Sequence, residues 1–180
     1  MPVKKGLVLG AALTAVVCSA HAADQQFADW SAGLNDPKTV SYAATVNDSG
    51  SLLGEYCYFS IGKCIWTLAM EPACTGSAIY PVLGNTASGA VHLQLQCDGK
   101  TDNGNYRYMI VDWKELESLL KDSNLVSFAF PMQGGVFKVL RFSLTGRTDA
   151  MGLAETIAAN QSAPTQNRSA TKRNTSDTTL

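Results

Sequence analysis

Histidine is nearly missing from this chain, and with it most routes to nucleophilic or metal-assisted chemistry. There are two, His21 and His92, and the second sits on an alternating strand pattern with its side chain directed away from the apolar face, a poor foundation for a catalytic triad. The chain has no Gly-x-Ser-x-Gly elbow, no glycine loop followed by Lys-Ser/Thr to cradle phosphate, and no His-Glu-x-x-His. It also lacks a Cys-x-x-Cys pair, which disfavours both a zinc site and a thiol oxidoreductase. No apolar run reaches the roughly 20 residues that a spanning helix needs. A carboxylate pair survives these exclusions, because two acids can converge from any part of a chain. Glu55, Glu71, Asp98 and Asp102 are the candidates, and each also reads as a loop or solvent-face charge. Asp98, Asp102 and Asn103 lack the alternate-position ligands and terminal Glu of a calcium loop, so a solvated hairpin turn is the better reading. The expectation is a non-enzyme with no cofactor and no metal.

What is present begins with a leader. Lys4 and Lys5 precede an apolar run from Gly6 to Ala20, closed by Ala20-His21-Ala22, a small-x-small cleavage site, so residues 1–22 read as a secretory signal peptide. Val17 before Cys18 is too bulky for a lipid-attachment box. Removal of the leader takes away Cys18 and leaves an even number of cysteines. It also removes two of the 14 basic residues against 15 acidic ones, for a net charge of roughly −3, which argues against a nucleic-acid surface. The expected compartment is the periplasm or the exterior, where disulfides persist.

The four remaining cysteines are Cys57, Cys64, Cys74 and Cys97. In YCYFSIGKCIW a tight hairpin would place Cys57 opposite Cys64, geometry that permits a cross-strand bridge. Alternation in AVHLQLQC puts Val91, Leu93, Leu95 and Cys97 on one buried face. Four cysteines allow three pairings, and the sequence alone does not decide; Cys57 with Cys64 and Cys74 with Cys97 is the pairing favoured.

Further strands are expected at residues 39–46, 52–59, 63–70, 78–83, 106–111, 125–130 and 136–144. Pro81 weakens the 78–83 strand and points to an edge or an irregular segment, and 84–89, GNTASG, reads as a loop. Trp30 reads as core. A helix should run from Trp113 to Lys121, with Asp112 and Glu115 as a capping box and Trp113, Leu116, Leu119 and Leu120 as its apolar stripe. A terminal helix should begin near Thr148. The expected fold is mainly β: a single antiparallel sandwich or barrel-like domain over 23–159, of about seven to nine strands, with one or two short helices and two disulfides. Residues 160–180 are too polar to repay their ordering entropy and read as a disordered tail.

The Asp29-Trp30 start, the helix WKELESLL leading into NLVSFAF, and VFKVLRFSLTGRTDAMGLAETI resemble the closing half of the invasion-associated locus B family of exported bacterial proteins. Ser143, Leu144 and Gly146 match that family's Ser-Leu-x-Gly turn before its last helix. The family's early cysteine, close after the first tryptophan, has no counterpart before Cys57. The resemblance implies an envelope or secreted β-rich protein associated with host interaction or stress tolerance, and carries over no site residues. Together with the exclusions above, this gives the functional expectation: an exported, non-enzymatic binding or accessory protein whose partner is another envelope or host protein. The alternatives are an inhibitor of an envelope-attacking hydrolase, presenting GNTASG or DGKTDNGN, and a small secreted enzyme using carboxylates.

Overall fold

The computed structural model describes residues 24–36 and 39–162; the leader at 1–22 and the stretch 163–180 lie outside the described residues. Among the described residues there are ten strands: β1 (Gln25–Phe27), β2 (Trp30–Asp36), β3 (Val40–Val46), β4 (Leu52–Tyr58), β5 (Lys63–Met70), β6 (Ile79–Thr86), β7 (Gly89–Lys100), β8 (Tyr106–Ile110), β9 (Leu125–Pro131) and β10 (Phe137–Ser143). Two helices accompany them, α1 (Trp113–Leu120) between β8 and β9, and α2 (Arg147–Ser162) after β10. All the strands form one antiparallel sheet in the order β1-β2-β3-β4-β5-β8-β7-β6-β9-β10.

The sheet rolls until its two ends meet. Trp30 Nε1 donates to the Ser143 carbonyl at 2.8 Å, Ser143 Oγ donates to the Asp29 carboxylate at 2.6 Å, and Asp29 N donates to the Thr145 carbonyl at 3.3 Å. These bonds satisfy polar groups that an open edge would leave to solvent. The barrel-like expectation therefore holds, with one strand more than anticipated.

Alternation decides what points inward. Large side chains fill the interior from β5 round to β10: Leu68, Tyr108, Leu95, Leu93, Phe128 and Phe142 are all essentially inaccessible. Tyr80, Tyr108 and Phe130 meet with ring centroids 5.7–5.9 Å apart, and Tyr108 donates its hydroxyl to the Pro72 carbonyl at 2.8 Å. The inner face of β2–β4 is different. Ala32, Ser41 and Ala43 are small and buried, and α2 lies against them through Ala150 and Ala154. Ser41 Oγ donates to the Ala154 carbonyl at 2.7 Å. The turn into α2 depends on Gly146, whose φ is +88° and where a Cβ would stand 1.8 Å from the Phe27 carbonyl oxygen.

Both favoured disulfides are formed, Cys57–Cys64 and Cys74–Cys97. The first joins residues directly opposite each other in the β4–β5 ladder. Four local expectations need correction. Asp112 occupies the N-cap position but makes no side-chain cap; its carboxylate accepts from Gln94 N at 2.7 Å, tying α1 to β7 instead. Trp113 is 47% exposed, so the buried stripe of α1 is Leu116, Leu119 and Leu120. The 78–83 strand continues through Thr86 and is internal, not an edge. Pro81 is tolerated because β6 pairs with β9 only over Leu83, Gly84 and Asn85, beyond the missing N–H. Gly84 belongs to that ladder, paired with Phe128, and is closely covered: Leu119 and Leu93 would each lie 3.0 Å from a Cβ there.

Candidate functional site: a tyrosine-walled trough

The register of β2–β5 and β8 places residues in rows across the outer face. One row reads Ser31–Ala44–Gly54–Thr67–Met109. The row on one side reads Gly33–Tyr42–Tyr56–Ile65, and that on the other Val46–Leu52–Ala69–Arg107. Small residues between larger ones make a trough that crosses the strands. Its floor is sealed: Ala44 and Thr67 are buried although they face outward. Gly54 is fixed by the same packing, since a Cβ there would meet the Ala44 Cβ at 2.7 Å and the Ala43 carbonyl at 2.8 Å.

Two neighbouring cavities mark the trough. One, of about 410 Å³, lies over Ser31, Ala44 and Thr45; the other, of about 610 Å³, lies over Thr67 and Ala69, and both are bordered by Asn35, Leu52 and Tyr56. Tyr42 and Tyr56 stack in the wall with centroids 6.1 Å apart. Burial, then the neighbouring Asp24 carboxylate, pushes the Tyr42 hydroxyl up to about 12. Burial, with Tyr58 beside it, also raises Tyr56 against the opposing pull of Arg107. Both phenols stay protonated at neutral pH; the Tyr42 hydroxyl is engaged by Asp24, while Tyr56 offers an apolar ring with an O–H donor.

Arg107 closes the far end. Its Nε donates to Asp98 Oδ2 at 2.7 Å and its Nη2 to the Asp98 carbonyl at 3.3 Å, which orients the guanidinium while 43% of the side chain stays exposed. Asp102 and Asn103 line the same end from the β7–β8 turn. That turn is held by Thr101 N donating to the Asn105 carbonyl and by Asn105 Nδ2 donating to the Gly50 carbonyl at 3.0 Å. Another depression of similar volume, about 630 Å³, lies between the β6–β7 turn and α1. Lys114 and Glu115 are its charged residues and it has no aromatic wall, so the trough is the stronger candidate.

The sequence candidates are scattered relative to this site. His92 is exposed on β7, opposite Leu83. Asp98 is engaged by Arg107 and Asp102 stands in the trough wall. Glu71 is exposed, receives Lys138 Nζ at 2.6 Å, and is lowered by that hydrogen bond and charge. Glu55 points to the opposite face of β4, into the interior. Asn103 Oδ1 accepts from Thr101 Oγ1 and Asn105 N, the bonding of a turn. Of the two loops, GNTASG is mostly strand, with Ala87 and Ser88 as its turn. No residue of the floor was singled out by sequence. The available signal was the hairpin register: once Cys57 faces Cys64, Gly54 must face Thr67 and Tyr56 must face Ile65.

Among the described residues no helix is long and apolar enough to cross a membrane. No protein-family model matches the chain, and no curated protein sequence matches it. Among solved structures it is similar to the crystal structure of invasion associated protein B from Bartonella henselae, with a TM-score of 0.54 and 16% sequence identity. The similarity covers 77% of this chain and 98% of that one. The shared fold agrees with the resemblance read from residues 113–157.

Proposed function

We propose that the protein is an extracytoplasmic, non-enzymatic binding protein that seats a segment of a protein partner in the trough on β2–β5 and β8. The observation that carries this reading is the Ser31–Ala44–Gly54–Thr67 row of small residues between Tyr42, Tyr56 and Arg107. Tyrosine and arginine around a desolvated floor are the composition of protein-binding hot spots. Two disulfides fit an oxidising compartment, as does the leader pattern at 1–22. The fold shared with a protein named for invasion supports a host-facing or envelope partner.

The test compares the oxidised protein with a Tyr56→Ala, Arg107→Ala double variant as baits for envelope and host-surface proteins. A partner held by the wild type should be lost by the variant, with affinity at least roughly ten-fold weaker and the fold intact. A partner retained equally by both would remove the trough from the binding surface. Turnover of a substrate that depends on Asp98 or Asp102 would replace the reading with an enzymatic one.

A further inference from the structure

Glu55 is 4% exposed, and its Oε2 is sealed from solvent with no hydrogen-bond partner among the described residues. An unpartnered buried carboxyl is costly, and packing alone would be served by an apolar side chain. What lies beside it is a disulfide: a Glu55 carboxylate oxygen and the Sγ atoms of Cys57 and Cys64 are all within 4.8 Å of one another. The two sulfurs differ in access. Cys57 is 1% exposed, whereas Cys64 is exposed at an open pocket of about 240 Å³ that also borders Lys63 and Glu155. The other disulfide has Cys97 buried and Cys74 half-buried, and no comparable carboxyl group beside it among the described residues.

We propose that Cys57–Cys64 is an exchangeable disulfide that oxidises a dithiol partner protein, with Glu55 as the proton donor to the buried sulfur. A partner thiolate attacks Cys64 Sγ, the S–S bond breaks, and its electron pair leaves on Cys57 Sγ, which takes the proton of the Glu55 carboxylic acid. The partner's second thiolate then attacks its own sulfur in the mixed disulfide and releases Cys64 as a thiolate, which is protonated from water. Two electrons pass to this chain, now a dithiol, and the partner leaves as a disulfide. Lys63 beside the pocket favours approach of the attacking thiolate. The charged groups facing Glu55 are Glu155 and Arg147 from α2 and Glu117 from α1. Burial, then the two glutamates, keeps Glu55 protonated up to about 7 while Arg147 opposes them, so the acid is available at mildly acidic and neutral pH.

The test is reduction of the fully oxidised protein by dithiothreitol, with stepwise alkylation and mass spectrometry to follow each disulfide. Cys57–Cys64 should open first, at least roughly ten-fold faster than Cys74–Cys97. Its rate per dithiothreitol thiolate should fall as pH rises through about 7, and Glu55→Gln should be slower at pH 6 and flat across that range. Prior opening of Cys74–Cys97 would overturn the proposal. So would a fast but pH-independent thiolate-normalised rate in the wild type, which would assign the reactivity to exposure of Cys64 alone. Both wild-type measurements decide the matter even if the variant fails to fold.

Discussion

The two halves of the rolled sheet solve the problem of filling a barrel in opposite ways. From β5 to β10 the interior is occupied mainly by aromatic and aliphatic side chains, and the outer face over β6, β9 and β10 carries an apolar strip. There Leu83, Ala129 and Val139 stand in one cross-strand row, with Phe137 64% exposed beside it. From β2 to β4 several inward residues, Ala32, Ser41 and Ala43, are small, and α2 supplies bulk beside Trp30 and Leu53. The outward residues of β3–β5 include a small-residue row as well, and it is this that hollows the surface. Small side chains on both faces of the same strands admit α2 on one side and leave an open trough on the other.

The contrast breaks most severely in the interior of the large-residue half. Phe128 is fully buried and meets Phe142 edge to face at 6.1 Å, so Phe128→Ala should cost about 3 to 5 kcal/mol in urea denaturation. A loss below 1 kcal/mol would mean that this half is loosely packed.

Glu55 gives the helix-backed half a pH dependence. Its folded pKa, raised mainly by burial to about 7, lies above the ordinary 4.5. The folded state therefore holds a proton that the unfolded state releases, and stability falls as pH rises from about 4.5 through 7. The full withdrawal is about 2 to 3 kcal/mol above that window. Glu55→Gln should abolish this slope in denaturation curves at stepped pH; an unchanged slope would assign it to another group.

Ala154→Leu attacks the helix seat itself. The extra atoms must enter where Ser41 Oγ already bonds the Ala154 carbonyl, and overpacking of this kind costs about 1 to 3 kcal/mol. Proteolysis should become faster within α2 before it does elsewhere. Equal protection of α2 in wild type and variant would show that the helix can be displaced without strain.

Surface changes should matter least to stability. Phe137→Ser should change stability by no more than about 0.5 kcal/mol and leave partner binding unchanged, whereas Tyr56→Ala, which removes a half-buried ring stacked on Tyr42, should cost about 0.5 to 1.5 kcal/mol and weaken partner binding.

Much of the large-residue half was legible because alternation is a strong signal there. Leu93, Leu95 and Cys97 point inward as the pattern of AVHLQLQC requires, and the β4–β5 register follows from a hairpin that sets Cys57 against Cys64. Glycines and helix caps were harder to read, in either half. Gly84 looked like the start of a loop, because a glycine required by close approach of Leu119 is indistinguishable in sequence from one required by a turn. Asp112 and Glu115 have the spacing of a capping box, but the Gln94 amide competes for the Asp112 carboxylate. The trough escaped because Ala44, Gly54 and Thr67 are unremarkable singly and become a feature only when pairing across several strands lines them up.

Photo-crosslinking tests the role of the trough most directly. A photoreactive phenylalanine analogue at position 56, in the trough, is compared with the same analogue at position 137, on the apolar strip of the other half. Illumination in the presence of envelope and host-surface proteins should give a discrete higher-mass adduct from position 56 and none from 137. An adduct from 137 alone would contradict the trough assignment and move the partner to the outer face of β9 and β10.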